Sequence, residues 1–190
     1  VADAGQLILT PEQITKRNAE TFALQPEMQA ITDIPVTLSR KDLLAVIQQV
    51  SAIPEAARFF DTGQALSAAD WAPIQQQLNL PAIKAQNPTR FALVTRRASL
   101  LAMPTELRVF NDALALDINR LQETAVFVGE PVAVLHQSSD AHWLLVQNYH
   151  YTGWVKADAL ALGAREQVLA YAAREPFLVV TGAKAHTNFT

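Results

Sequence analysis

The sequence of 190 residues contains no cysteine and only six glycines. Without cysteine, these residues can form no disulfide, no thiolate zinc site and no thiol nucleophile. The glycines are isolated from one another, so the sequence has no glycine-rich loop of the kind that cradles phosphate groups. Charged residues make up 17% and the net charge is −3, which argues against a basic nucleic-acid surface. We therefore expect no nucleic-acid partner, no metal site and no cofactor.

The sequence also lacks a long apolar run, and we expect no membrane span. Residues 1–5 include no methionine and no basic-then-apolar signal pattern. They are typical of the new N-terminus left by signal-peptide cleavage, or of a truncation, and we favour the first. The absence of cysteine does not fix the compartment, although it is compatible with an oxidising one such as the periplasm. Together with this type of N-terminus, it leads us to expect a periplasmic or secreted location.

What the sequence does contain is apolar material, at 50% of residues, which is enough for a folded core. The first ninety residues predict three helices. Thr10 and Pro11 begin the first, with Gln13 placed for a capping box, and it should run to about Leu24. Ser39 and Ser67 cap the second and third, each followed by apolar residues at helical spacing. Between the first two helices, residues 31–38 are predicted to be extended.

Beyond a proline-containing boundary at 81–90, the apolar period changes to that of β-strands. The predicted strands are 91–95, 126–128, 132–136, 143–147 and 153–156. The polar stretch 137–142 predicts a tight hairpin between two of them. Short strands at this spacing favour an α+β chain in which a helical N-terminal region precedes a small antiparallel β-barrel. The stretch 98–124 is predicted to be a long functional loop.

After the barrel, residues 164–174 predict an amphipathic helix with Val168, Leu169 and Tyr171 inward, and residues 177–181 predict a further strand. This last strand either completes the barrel or is the first strand of another domain. We accordingly divide the chain into residues 1–88, 89–163 and 164–190.

The sequence offers few groups of residues that could form a catalytic site. His136, Ser138 and Asp140 crowd one hairpin, where alternation should point them apart, so we interpret them as turn residues rather than a triad. His136, His142 and His150 match no metal-ligand spacing and are predicted to lie at the surface. We expect no catalytic residue in this chain.

Aromatic residues remain as candidates for binding. Trp143 and Trp154 lie on neighbouring predicted strands, and each is either core or groove. In the functional alternative, one of them lines a groove for a peptide-like ligand together with Tyr151 and the 98–124 loop.

The run from Gly129 to Val146, followed by Tyr151-Thr-Gly-Trp-Val-Lys156, resembles a bacterial SH3 (SH3b) domain. The resemblance rests on the Ser-x-Asp-x-x-Trp hairpin and the Gly-Trp-Val strand. Residues 102–105 and 119–124 are similar to the first SH3b domain of NlpC/P60 cell-wall peptidases. Residues 9–63 resemble the N-terminal stabilising domain of those enzymes.

This resemblance implies a bacterial cell-envelope setting, in which complete enzymes cut γ-D-glutamyl-diamino acid bonds in peptidoglycan with a C-terminal cysteine peptidase domain. The first SH3b domain sits beside that active site and restricts the substrate. The present sequence departs from the family because it has no cysteine, and that chemistry needs a thiolate. It also carries Leu101 where the family pattern leads us to expect arginine, and Asn119 where we expect aspartate.

Two functions from different classes follow, with a third left as an alternative. The first is a non-catalytic module that binds or positions peptidoglycan stem peptide. The second is a scaffold or accessory subunit that docks on a separate cell-wall peptidase chain or another envelope protein, and the third is an enzyme of unrecognised type. The predicted ligand-binding residues are Thr105, Glu106, Asn119, Gln122, Asp140, Trp143, Tyr151 and Trp154. Glu106 and Asp140 would meet a free amine, and Asn119 and Gln122 would meet amide or carboxylate groups.

Overall fold

The fold was established from a computed structural model, which describes residues 7–25, 27–112 and 115–176. In chain order the elements are α1 (Pro11–Leu24), β1 (Thr37–Ser39), α2 (Arg40–Val50), α3 (Ala68–Gln77), β2 (Gln86–Pro88), β3 (Arg90–Val94), β4 (Ala98–Leu101), β5 (Gln122–Val126), β6 (Pro131–Gln137), β7 (Trp143–Gln147), β8 (Thr152–Lys156), β9 (Leu160–Gly163) and α4 (Arg165–Ala172). Three short 3-10 turns lie at 31–33, 80–82 and 157–159. The α+β class, with helices before an antiparallel barrel, is confirmed.

The three predicted N-terminal helices are present and begin at the predicted caps. In α1 the Thr10 side chain accepts from the Gln13 backbone, and the Gln13 side chain accepts from the Thr10 backbone, which completes the capping box. In α2 the Ser39 side chain accepts from the Asp42 N–H. Local side-chain chemistry thus decides where these helices start.

Seven strands of the described part of the chain form an antiparallel sheet in the order β5-β4-β8-β7-β6-β3-β9, which curls around an apolar interior. The predicted hairpin between β6 and β7 is confirmed, and Ala141 takes a left-handed φ of 62° in its turn. A register shift between Val134 and His136 marks a bulge in β6, which bends a strand and increases its twist. β4 meets β8 through a single pair, Leu101 opposite Trp154.

Strands β6, β7 and β8 are buried on both faces, so their apolar residues form continuous runs instead of an alternating pattern. One face fills the interior of the barrel with Val132, Val134, Leu144, Val146 and Val155. The opposite face carries Ala133, Leu135, Trp143, Leu145 and Trp154 and belongs to a second core cluster.

This second cluster is shared with the helical region, whose α2 and α3 supply Leu43, Ile47, Trp71 and Ile74 to it. The helices therefore cover the outside of the barrel. Helix α1 differs from the others, because none of its residues is buried.

The predicted boundary at 81–90 is an ordered segment that joins the two regions. Strand β2 pairs with β1 of the helical region. The buried Asn87 side chain accepts from the Lys84 N–H and donates to the carbonyls of Leu38 and Lys84. The division of the chain at this segment stays a prediction.

Several local expectations were wrong. The stretch 98–124 is not one loop, because its ends form β4 and β5 and the loop between them spans 102–121. The strand predicted at 126–128 lies at 122–126, and Phe127 and Val128 are exposed in the following turn. Residues 31–38 include a 3-10 turn before β1.

The C-terminal helix is present as α4, with Val168 buried and Leu169 packed against the shared core. Tyr171 was predicted to point inward but is 48% exposed. The strand predicted at 177–181 lies outside the described residues. No helix in the described part of the chain has the length and apolarity needed to cross a membrane.

Candidate functional site

A groove of about 620 Å³ opens between the 102–121 loop and the ends of β4, β7 and β8. We call it the loop groove. It is lined by Arg96, Arg97, Ala98, Ser99, Leu101, Thr105, Glu106, Arg108, Asp117, Asn119, Gln122, Trp143 and Lys156. Five of the eight predicted ligand-binding residues therefore lie together here: Thr105, Glu106, Asn119, Gln122 and Trp143.

Trp143 lies at the base of the loop groove, with only 6% of its surface exposed. Lys156 stands opposite Trp143 in the β7–β8 register, and its Nζ lies 5.8 Å from the centre of the indole ring. The same Nζ donates to the Glu106 carboxylate. Lys156 thus links the aromatic base to the acidic residue of the loop, although this pair is exposed to solvent and adds little stability by itself.

The loop that forms one side of the groove is held in place by backbone contacts. Asn119 Oδ1 accepts from the N–H groups of Val109 and Leu121, at 3.1 and 3.2 Å. Phe110 and Phe59 exchange both backbone hydrogen bonds at 2.9 Å, which ties the loop to the helical region. A carboxylate could accept the same two bonds, so asparagine in place of the expected aspartate preserves this anchor.

The polar groups of the loop groove carry both signs of charge, with an excess of positive charge. The cations are Arg96, Arg97, Arg108 and Lys156, and the anions are Glu106 and Asp117. Arg96 pairs with Asp158 and Lys156 pairs with Glu106. Arg97 lies 5.5 Å from the centre of the Phe127 ring, with no carboxylate partner among the described residues. The groove can therefore offer a cation to a carboxylate.

The sequence-based search found the acidic, amide and indole groups of this groove but missed its cations. Arg97 directly precedes β4 and Arg108 lies in the loop, and they reach the groove only because of strand pairings that single-residue patterns do not reveal. Lys156 could have been found, because it ends the Gly-Trp-Val-Lys strand that neighbours Trp143.

Trp154 was a predicted ligand-binding residue, yet it is completely buried and lines neither groove. The physical reason is that the helical region covers this face of the sheet. Its indole Nε1 donates to Ser51 Oγ at 2.9 Å, and Ser51 Oγ donates to the Ala102 carbonyl at 2.7 Å. Trp154 is a core residue that connects the barrel, helix α2 and the start of the loop.

Asp140 lies in the β6–β7 turn, outside the loop groove. It accepts from Ser138 Oγ at 2.5 Å and from the His142 N–H at 2.9 Å. Partial burial opposes ionisation, but these hydrogen bonds leave the pKa of Asp140 below its ordinary value. Ser138 and Asp140 therefore do not point apart as expected, although their interpretation as turn residues agrees with these contacts.

The histidines of the β6–β7 and β7–β8 hairpins do not form a metal centre in the described part of the chain. His136 is half-buried rather than a surface residue, and burial lowers its pKa. Its Nε2 lies 3.1 Å from the Leu78 carbonyl and 3.3 Å from that of Asn79. His136 thus links the residues that follow α3 to the barrel through these contacts.

Tyr151 lines a second groove of about 550 Å³, which lies between the helical region and the barrel. We call it the interface groove. Its lining residues are Glu27, Gln29, Val46, Gln49, Val50, Glu123, Gln147, His150, Tyr151 and Thr152. The Tyr151 hydroxyl donates to Glu123 at 2.5 Å, and this bond, with burial, raises the pKa of Tyr151 to about 12. Gln122 and Glu123 are neighbours on β5, so strand alternation places them in different grooves.

Comparison with known proteins agrees with this architecture. Residues 108–156 match the family described as SH3 domain (SH3b1 type). No protein of curated function matches the chain by sequence.

Among solved structures, the chain is similar to one described as a novel NlpC/P60 endopeptidase from Photobacterium damselae subsp. piscicida, with a TM-score of 0.64 and 18% identity. The match covers 90% of this chain and 41% of that one, so the chain spans less than half the length of this endopeptidase. At this identity the likeness concerns the fold. The chain thus contains an SH3b domain, set in a fold that it shares over nearly its whole length with an NlpC/P60 endopeptidase.

Proposed function

We propose that this chain is a non-catalytic, periplasmic or secreted module of the bacterial cell envelope that binds or positions peptidoglycan stem peptide in the loop groove. The observation that carries the proposal is the groove itself, because it brings an aromatic base, an excess of cations and the side-chain amides of Asn119 and Gln122 together beside the SH3b match. Small-ligand sites typically combine an apolar surface with a few placed polar groups.

The chemistry of a stem peptide fits these groups. Such a peptide carries carboxylates and amides along its length and a free amine at a terminus or side chain. Arg97 and Arg108 supply cations for carboxylates. Glu106 supplies a carboxylate for an amine, in exchange for its exposed pairing with Lys156.

The direct test is a titration of the whole chain with the tripeptide L-Ala-γ-D-Glu-diaminopimelate, followed by backbone chemical shifts. We expect saturable shifts at Ser99, Glu106, Gln122 and Trp143. Arg97→Gln should weaken binding by about threefold to fivefold, the range of a partly exposed ion pair. Arg17→Gln, an exposed cation on α1, is the matched control and should leave the affinity unchanged.

Absence of any shift at millimolar peptide, with the protein folded, would rule out this proposal. Shifts that avoid the loop groove would also contradict it. Release of peptide fragments from purified peptidoglycan by this chain alone would instead support the enzyme alternative.

A second function, docking on a separate cell-wall peptidase or another envelope protein, is favoured by one observation. Phe127 and Val128 are 56% and 68% exposed and follow β5, which is a terminal strand of the described sheet. Exposed apolar groups beside a sheet edge are a common basis for protein association. Copurification with a peptidase from the same organism, lost in Phe127→Ser, would favour this function.

A further inference from the structure

The interface groove has a composition unlike that of the loop groove. Helix α2 contributes Val46 and Val50, which are partly buried and pack against the shared core. The barrel contributes Glu123 and Tyr151, and the segment after α1 contributes Glu27. The groove therefore joins an aliphatic surface to two carboxylates and a phenol.

Among the described residues, the charge of this groove is negative and has no lysine or arginine to compensate it. Neither lysine nor arginine occurs among the described residues that line it. Glu27 and Glu123 form no salt bridge within the described ranges. Two carboxylates that line one groove, with no lysine or arginine among its described residues, form a place where an entering cation is electrostatically favoured.

Both carboxylates act on the hydroxyl group of Tyr151. Glu123 accepts directly from the Tyr151 hydroxyl, and the charge of Glu27 contributes further to the raised pKa of that phenol. Because Glu27 and Glu123 come from different regions of the fold, their convergence on one tyrosine places negative potential inside the groove. The phenol oxygen can accept one more hydrogen bond there.

We propose that the interface groove binds a primary ammonium group carried on a short aliphatic chain, as in a lysine side chain. The ammonium would lie between Glu27 and Glu123, and the aliphatic stem would cover Val46 and Val50. A lysine side chain is a compact charge on a flexible four-carbon stem, which matches this combination of surfaces. The site takes a ligand of opposite charge to that favoured by the loop groove.

This inference does not depend on the proposed function, because the two grooves have no lining residue in common. Stem-peptide binding in the loop groove could fail while amine binding here succeeds, and the reverse is equally measurable.

The probes are three derivatives that differ only at the end of the side chain: Nα-acetyl-lysine N-methylamide, its Nε-acetylated form and the norleucine analogue. Each is titrated into the whole chain at low salt and followed by backbone chemical shifts. We expect saturable shifts at Glu123, Gln147 and Thr152 with the lysine derivative. The Nε-acetylated and norleucine derivatives lack the charge and should give at least fivefold weaker binding.

Variants test the roles of the two carboxylates. Glu123→Gln and Glu27→Gln preserve side-chain volume, and each should weaken binding of the lysine derivative by about fivefold. Glu55→Gln, which removes an exposed carboxylate outside the groove, is the matched control and should leave the affinity unchanged.

Three results would overturn the inference. The first is the absence of saturable shifts at the groove in the wild-type chain. The second is equal binding of the charged and Nε-acetylated derivatives. The third is an unchanged affinity in both Glu123→Gln and Glu27→Gln, with spectra that show folded protein.

Discussion

The barrel and the helical region differ in where their buried side chains lie. The described barrel encloses a core of its own, formed by residues such as Leu100, Val132 and Val146. Each buried apolar residue that the structure describes in the helical region belongs instead to the cluster that this region shares with the outer face of the barrel. A region of about eighty residues that has no hydrophobic core of its own buries too little apolar surface to be stable alone. We infer that the helical region folds as a cover on the barrel.

The largest expected effect tests whether the two regions unfold together. Leu43→Ala removes a fully buried side chain of α2 from the shared core and should lower the free energy of unfolding by about 4 kcal/mol. Urea unfolding should show one transition, in which the tryptophan fluorescence and the helical circular dichroism change together.

Hydrogen exchange provides the control for this prediction. If amides of β6 and β7 keep wild-type protection in Leu43→Ala while those of α2 lose it, the helical region opens independently of the barrel. That result would contradict a single cooperative unit.

A second substitution acts on the barrel side. A Cβ at Gly153 would lie 2.8 Å from Leu100 Cγ and 2.9 Å from the Leu101 carbonyl oxygen. Because the second of these is backbone, Gly153→Ala must displace β4 from β8 and should cost about 3 kcal/mol. Gly163→Ala is the matched control, since its nearest contact is 3.3 Å from Val168 Cγ2. Equal stability of the two variants by thermal unfolding would show that β4 moves freely.

The third prediction concerns the hydrogen bonds that join the two regions. Ser51→Ala leaves the Trp154 indole N–H and the Ala102 carbonyl without their partner, which should cost about 2 kcal/mol. In the Trp154→Phe background the same substitution should cost less, because no indole N–H remains to be satisfied. Additive effects in this double-mutant cycle would refute the linkage through Ser51.

Local signals made the helices and the central strands predictable. Capping residues such as Thr10 and Ser67 form their hydrogen bonds with a residue three positions further along the chain. The apolar residues of β6 and β7 form continuous runs in the sequence. Strands β4 and β5 were harder to predict from the sequence, because their strand conformation depends on pairing with each other and with β8.

The candidate site was predictable only in part for the same reason. The resemblance pointed to the loop residues and Trp143, which do meet in one groove. Trp154 is buried under the helical region, and its indole N–H donates to Ser51, which is 103 positions away. Similarly, nothing local brings Glu27 towards Tyr151. Contacts of this kind arise from the packing of the helices on the barrel.

A smaller effect is expected where the two regions meet at the interface groove. The hydrogen bond to Glu123 raises the pKa of Tyr151 to about 12, so the folded state favours the protonated phenol. Its contribution to stability is present below the ordinary tyrosine pKa of about 10 and is lost as the pH rises through 12. In Glu123→Gln, ultraviolet absorbance should show this phenol titrating closer to its ordinary value. A titration unchanged from wild type would mean that Glu123 does not hold the proton.

The smallest effect is expected in α1, none of whose residues is buried. Phe22 is 36% exposed, and its main aromatic neighbour is Tyr149, with ring centres 6.5 Å apart. Phe22→Ala should therefore change the free energy of unfolding by less than about 0.5 kcal/mol, against about 4 kcal/mol for Leu43→Ala. A loss above 1 kcal/mol in urea unfolding would mean that α1 packs on the barrel as α2 does. The cover would then include all three N-terminal helices, and the contrast between α1 and α2 would disappear.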